Sequence, residues 1–516
     1  MNGARALLVT LVDAGVDVCF ANPGTSEMHF VAALDDVPAM RGVLTLFEGV
    51  ATGAADGYAR VAGRPAATLL HLGPGLGNGL ANLHNARRAR TPVVNIVGDH
   101  ATSHARFDAP LQSDIASIAG AVSGWYRVTA RADDVGSDAA AAVAAAAGPP
   151  GCVATLVLPA DSSWSEADTG PHPPLPPARP TRVPLEMIDE VAKVLRSGQR
   201  TVLLLGGGAV RGPGLEAASR ICGATGATML GETFPANLER GAGLPDVERL
   251  AYFGEMALAQ LEGIQHLVLI DALSPVSFFA YPDKPSDLVP AGCVVHTLVR
   301  PGEDAAAALE ALAEAIGAPS DAAVLAGAAR PDRPSGALDM QTLAAAIGAT
   351  LPERTIVVDE GNTSGLFVSG ATAGSPRHDW LTLTGGAIGL GMPMATGAAV
   401  AAPDRPVLSL QADGSAMYTL QALWTQAREE LNVTTVLLAN RSYAILNIEL
   451  ARVGADAGGP LARKLLDLTN PNLDFTQLAQ GMGVPARRVE RAEELTDALD
   501  ASYGEPGPSL IEVVLG

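Results

Sequence analysis

Short apolar runs alternate with helix-compatible stretches along the whole chain, and this alternation constrains the fold more than any other feature. The first part carries DVCFAN, VLTLF, ATLLHLG and PVVNIVGD. The middle carries TVLLLGGG, HLVLIDA and CVVHTLV, and the last TIVVDE, PVLSLQAD, VTTVLLAN and SLIEVVL. Apolar strands in strand–helix–strand order predict parallel sheets covered by helices on both faces. Two seams interrupt the pattern. EADTGPHPPLPPARPTR (166–182) is too rich in Pro to hold a helix or a sheet ladder, and GAPSDAAVLAGAARPDRPSG (317–336) is a weaker seam of the same kind. The expectation is an α/β protein of three doubly wound parallel-sheet domains, at 1–165, 183–318 and 337–516. In such sheets ligands bind beyond the C-terminal ends of the strands.

Composition narrows the partners. A chain of 516 residues is too long for one core, and 48% hydrophobic residues suit several buried sheets. A formal charge of −21 repels nucleic acid and acidic membrane surfaces, and 4% aromatic residues offer little to stack on bases. Neither a secretion signal nor an apolar run long enough to span a membrane is evident, so a cytoplasmic location is expected. Cys19, Cys152, Cys222 and Cys293 are too scattered for a metal site and read as reduced thiols.

Strand ends then locate the chemistry. PVLSLQADGS places Asp413, Gly414 and Ser415 just past a strand, and VTTVLLAN ends at Asn440. A right-handed crossover brings both to one sheet edge. A carboxylate, an amide oxygen and a loop carbonyl form a hard oxygen set suited to Mg²⁺, and helix N-termini nearby suit phosphate. An ordinary Asp-Gly turn is the competing reading. Glu48 follows VLTLF and opens a helix, where it either caps the dipole or acts as a buried acid. His71 ends the next strand and is either structural or catalytic. NPGTSE (22–27) puts Thr25 or Ser26 near a small anion; a helix N-cap with Glu27 in the first turn is the other reading, and both can hold together. TGGAIGLGMPMATGAA (384–399) by itself reads as a Gly-rich helix packed on a sheet.

Taken together, these segments resemble the thiamine-diphosphate enzymes. ADGS and ANRSY are similar to that family's GDG…NN fingerprint, with Asp413 and Asn440 twenty-seven residues apart. LFEGVATGAADGYAR is similar to its activating-glutamate segment, and the stretch around Gly386 and Ile388 to its third motif. The resemblance implies thiamine diphosphate and Mg²⁺ as cofactors. Asp413, the Asn440 side chain and the Ser442 carbonyl would hold the metal, with Gly414 and Ser415 beside the diphosphate. Glu48 would bond N1′ of the aminopyrimidine, the Gly386 carbonyl would receive its 4′ amino group, and Ile388 would keep the coenzyme bent. Ala412 and Ala439 depart from the fingerprint, which usually has Gly and Asn there. A residue of negative φ tolerates the first change.

The implied reaction is decarboxylation of a small 2-keto acid, ending in aldehyde release or in carboligation to a second carbonyl. The pattern around His71 and GSAMYTLQALWT (414–425) resemble benzoylformate decarboxylase, where such a histidine moves protons. QSDI, with Gln112 lining the pocket, resembles the acetolactate synthase large subunit. Against the synthase, Glu449 stands where a tryptophan is usual, and TVLLLGGGAVR is too weak a glycine run to establish FAD, which is not expected. Against the decarboxylase, SPVSFFAYPDKPS (274–286) offers aromatics where a second histidine is usual; core packing is their other reading. The resemblance implies a homodimer at least, with a homotetramer expected. A catalytically quiet cofactor-binding paralogue is the alternative.

Overall fold

The computed structural model describes residues 1–321, 325–455 and 459–515. Three sheets are present among them, each built mainly of parallel strands. The first has six, in the order Arg41–Leu44, Val18–Ala21, Ala66–His71, Val93–Asp99, Val153–Pro159, Trp125–Val128. The middle sheet runs Glu248–Arg249, Thr228–Gly231, Thr201–Leu205, His266–Ile270, Val294–Val299. The last has seven: Ala486–Val489, Ser509–Val514, Val433–Ala439, Val407–Ala412, Ile356–Glu360, His378–Thr382 and Leu238–Arg240. Alternating strands and helices therefore give the expected α/β architecture. One departure is the seventh strand, which comes from the middle of the chain and pairs antiparallel with His378–Thr382. Its few residues carry too weak a pattern to announce that exchange.

In each sheet a reversal of strand order opens a crevice at the C-terminal strand ends. In the first sheet the reversal lies between Val18–Ala21 and Ala66–His71. In the middle it lies between Thr201–Leu205 and His266–Ile270, and in the last between Ile356–Glu360 and Val407–Ala412.

The Pro-rich stretch 171–180 contains no helix or strand, as its composition requires. In the weaker seam at 317–336, residues 322–324 lie outside the described set, as does Gly516. The outer parts meet through two glycine-rich helices, Glu48–Ala62 and Gly391–Ala401. A Cβ on Gly397 would overlap the Ala54 carbonyl, and one on Gly57 the Met394 carbonyl. Only bare backbone permits so close an approach. The Gly-rich stretch thus packs on its own sheet, as expected, and also on another helix. This contact carries the first motif and the third side by side. No helix among the described residues is long and apolar enough to cross a membrane.

Candidate functional site

In the last sheet, Ala412 pairs with Leu438, so the two parallel strands release Asp413 and Asn440 at the same edge. Asp413 is 3% exposed. Its Oδ1 accepts the Gly414 N–H (2.8 Å) and its Oδ2 the Arg441 N–H (2.6 Å). Those bonds fix the carboxylate plane yet leave each oxygen a lone pair. Burial pushes its pKa up, and backbone hydrogen bonds oppose the rise. No cationic side chain pairs with it among the described residues. Asn440 is oriented at both ends: its Nδ2 donates to Ser364 Oγ (2.9 Å) and its Oδ1 accepts the Ser442 N–H (3.0 Å). Ser442 Oγ donates to the Leu466 carbonyl (3.1 Å). A fixed carboxylate, a fixed amide oxygen and a loop carbonyl fit a hard divalent cation. No cluster of three or more His, Cys, Asp and Glu side chains could hold a metal among the described residues, so such a site depends on neutral oxygens.

Both departures from the fingerprint have a structural reason. Ala412 has φ −75° and ψ 147°, an extended conformation open to any residue. Ala439 is 2% exposed and packs with Val50, Met392 and Leu437, where a methyl fits and an amide would be unpaired. Gly414 abuts the Tyr443 ring so closely that a Cβ would overlap it. Asn362 Nδ2 donates to Ser415 Oγ (3.0 Å), and neither Asn362 nor Ser364 stood out in the sequence because GNTSG follows its strand as an ordinary loop.

The first sheet presents the second group. Glu48 begins the helix Glu48–Ala62, is 6% exposed and has no ion-pair partner among the described residues. Asn78 Nδ2 donates to its Oε2 (2.9 Å). Gly75 lies between Glu48 and His71; a Cβ there would stand 3.2 Å from Glu48 Oε1 and 3.4 Å from His71 Cβ. His71 closes its strand, and Leu72, the next residue, has φ +50°. A buried leucine in that conformation is strained, and the strain belongs to the sharp turn that aims His71. His71 Nδ1 is 2.8 Å from Glu27 Oε2, which also accepts the Gly24 N–H (2.7 Å). Burial raises the pKa of Glu27, and the His71 charge works against that rise. Sequence reasoning saw Glu27 only as a first-turn acid. Its partner, forty-four residues away, becomes visible only when the sheet is assembled.

Gly24 is the cap residue of the short turn Thr25–Glu27, so neither Thr25 nor Ser26 fills that place. Thr25 is exposed and Ser26 half-buried, both next to the His71–Glu27 pair. Gln112 lies on the loop after Val93–Asp99, with a buried Oε1 that has no donor.

The third motif joins these groups. The carbonyls of Gly385 and Ala387 accept from His84 and Asn85, leaving that of Gly386 without a donor among the described residues. Ile388 is partly buried against the core shared by the first and last sheets. Asn82 Nδ2 donates to the carbonyls of Gly49 (2.8 Å) and Gly389 (3.2 Å), bridging the Glu48 helix to the Ile388 loop. Phe278 stands over Gly386, with a hypothetical Cβ there 2.7 Å from its Cζ. Phe278 and Phe279 are 43% and 53% exposed, so they are not core residues; they join Phe234 and Tyr252 in a cluster of tilted and edge-on rings. Glu449 is 3.7 Å from Arg452, whose guanidinium stacks on Phe253 and Tyr281.

The middle crevice is built differently. Gly207 adopts φ +47°, and Asp271 fills the space a Cβ would need there while accepting the Gly208 N–H (3.2 Å). Arg90 from the first part pairs with Asp271. Glu232, its pKa pushed up to about 7 chiefly by burial, lies against Gly206. Internal carboxylates hold the amides that a dinucleotide's phosphates would need, so this turn does not fit FAD.

Comparisons with known proteins agree with this geometry. Residues 1–120 match the N-terminal and 359–513 the C-terminal TPP-binding domain of thiamine pyrophosphate enzymes. The chain is 65% identical to a putative acetolactate synthase large subunit, IlvX, of Mycobacterium tuberculosis, covering 100% of this chain and 99% of that one. It is 30% identical to benzoylformate decarboxylase of Pseudomonas aeruginosa over 97% and 96% of the two chains. In fold it is similar to a Rhodococcus jostii thiamine diphosphate-dependent 4-hydroxybenzoylformate decarboxylase. That likeness has a TM-score of 0.86 at 24% identity, covering 100% and 99% of the chains.

Proposed function

The chain belongs to the thiamine pyrophosphate enzymes, and from that premise we propose that it decarboxylates a 2-keto acid with thiamine diphosphate and Mg²⁺. The observation that carries this reading is a pair of buried acids. Glu48 and Asp413, from different sheets, each lack a cationic partner among the described residues. A buried carboxylate without compensation is costly, and a bound cation or a shared proton offsets that cost.

In this proposal Asp413, Asn440 and the Ser442 carbonyl hold Mg²⁺, with Gly414 and Ser415 beside the diphosphate. Glu48 shares a proton with N1′ of the aminopyrimidine, and the Gly386 carbonyl receives the 4′ amino group. Ile388 supports the bend between the two rings. When bound, thiamine diphosphate supplies the nucleophilic carbon and the electron sink that releases CO₂. His71, oriented by Glu27, moves the proton that completes the product. Thr25, Ser26 and Gln112 receive the substrate's polar end. The half-exposed rings of Phe278 and Phe279 accept an apolar side chain. A proton-moving pair at the crevice and a carboxyl-bearing helix at Glu449 favour aldehyde release over carboligation. The working assembly is a homodimer at least, expected to be a homotetramer.

The test is a titration with thiamine diphosphate and Mg²⁺ followed by CO₂ release from pyruvate and from benzoylformate, with identification of the product. Cofactor binding without turnover on a broad keto-acid panel would replace this reading with the catalytically quiet paralogue. A branched 2-hydroxy-2-methyl-3-keto acid as the main product would replace it with the synthase.

A further inference from the structure

Glu360 ends the strand Ile356–Glu360 at the reversal of the last sheet, and it is 1% exposed. It forms no ion pair among the described residues. Its Oε1 accepts the Gly389 N–H (2.6 Å); its Oε2 accepts the Gly391 N–H (2.5 Å) and Gln411 Nε2 (3.1 Å). Both backbone donors lie just past Ile388, on the segment that leads from the third motif into the helix Gly391–Ala401.

Gly389 is held from three directions, through the peptide units on both sides of its Cα. Its N–H is tied to Glu360, and its carbonyl accepts from Thr419 Oγ1 (2.9 Å) and from Asn82 (3.2 Å). Gly389 has φ +93°, a conformation a side chain would resist, and Gly391 has no room for a Cβ between Gln411 and Glu360. Thr419 lies six residues past Asp413, and Asn82 also holds the Gly49 carbonyl beside Glu48. One residue next to Ile388 is therefore connected to the metal-side turn, the activating-acid helix and a buried carboxylate. Charge-assisted bonds from an anion to backbone amides are the strongest means available to fix it. Only a carboxylate offers one acceptor oxygen to each amide; a glutamine would turn an NH₂ group toward one of them.

We propose that Glu360 is a positioning residue that sets Ile388 at the height needed to support the bent coenzyme, without touching the diphosphate cradle. The proposal rests on the thiamine diphosphate reading above. It separates two ligands that share the cradle. Mg²⁺ with inorganic pyrophosphate engages only Asp413, Asn440 and their neighbours. Mg²⁺ with thiamine diphosphate would also reach Ile388.

The experiment is calorimetric titration of the full-length protein with each ligand, for wild type, Glu360→Gln and Glu360→Asp. The aspartate variant keeps the charge and shortens the reach by one methylene, so it carries the test if the glutamine variant does not fold. Expected is a loss of about tenfold or more in thiamine diphosphate affinity for the variants, the scale of a lost charge-assisted bond, with pyrophosphate affinity unchanged within about twofold. Equal weakening of both ligands would reduce Glu360 to a general structural role, and no weakening of either would remove its role altogether. Both outcomes overturn the proposal. Wild type that binds pyrophosphate but not thiamine diphosphate would overturn the functional reading, and the proposal with it.

Discussion

Two of the three crevices differ from the third in what their acids are paired with. At the edges of the first and last sheets, Glu48 and Asp413 are buried with neutral hydrogen-bond donors and no cation. At the middle sheet, Asp271 is equally well placed but is matched by Arg90 and by the Gly208 amide. In the proposed reading, the acids that serve a ligand are those the chain leaves without a cation. Where it supplies its own partner, the corner becomes a joint between domains. On that proposal, electrostatic satisfaction separates the candidate crevices from the middle one more than topology does.

The largest break in this comparison is expected at Asp413. Asp413→Ala should abolish Mg²⁺-dependent binding of both pyrophosphate and thiamine diphosphate, a loss beyond the ~10–100-fold seen when only the partners of metal ligands are changed. Calorimetry in excess Mg²⁺ reads it directly. Retained binding would remove the cradle from the last sheet. Glu48→Gln comes next. It keeps the shape and should keep cofactor affinity while turnover falls by ~10²–10⁴, the usual weight of a positioned proton-transfer group. Undiminished CO₂ release would make Glu48 a helix cap and nothing more.

How much of this was legible in the sequence follows the same division. Asp413 and Asn440 sit directly past strand ends, where the apolar runs stop; Glu48 opens its helix as expected, but the strand before it ends at Leu44 rather than running through Phe47. Residues that hold them were not legible, because their significance is three-dimensional. Glu27 looks like a first-turn acid until His71 is brought beside it, and Glu360 looks like the last residue of VVDE until Gly389 folds back over it. For the aromatic cluster the sequence leaves core packing open as one of two readings. A run such as SFFAY shows hydrophobicity, but not that Phe278 stands half-exposed over Gly386. The strand Leu238–Arg240 was missed because three residues carry no period.

The middle crevice gives a smaller and opposite expectation. Arg90→Ala removes the cation and leaves Asp271 with its charge largely buried, costing ~1–3 kcal/mol. Adding Asp271→Asn should restore part of that stability, since the penalty lies in the unpaired carboxylate. Denaturant midpoints of the two variants read the difference. Equilibrium dialysis of the wild type against FAD should find none bound, and stoichiometric flavin would contradict the idea that internal carboxylates fill this corner.

The smallest expected effect concerns Glu27 and lies in a slope. Burial raises its folded pKa above the unfolded value near 4.3. A carboxyl raised in this way contributes its full stability below the unfolded pKa and loses it as pH climbs through the folded one, because the native state binds the proton more tightly. Glu27→Gln carries no such proton. Melting temperature against pH should therefore fall more steeply for wild type than for the variant in the window that begins near pH 4.3 and ends above the folded pKa. Outside that window the curves should run parallel. Comparing slopes within each protein cancels the fixed cost of disturbing the Gly24 bond. Parallel curves throughout would mean that the His71 charge fully offsets the burial of Glu27. The pair would then resemble the compensated middle crevice rather than the two that the chain leaves poised for a ligand.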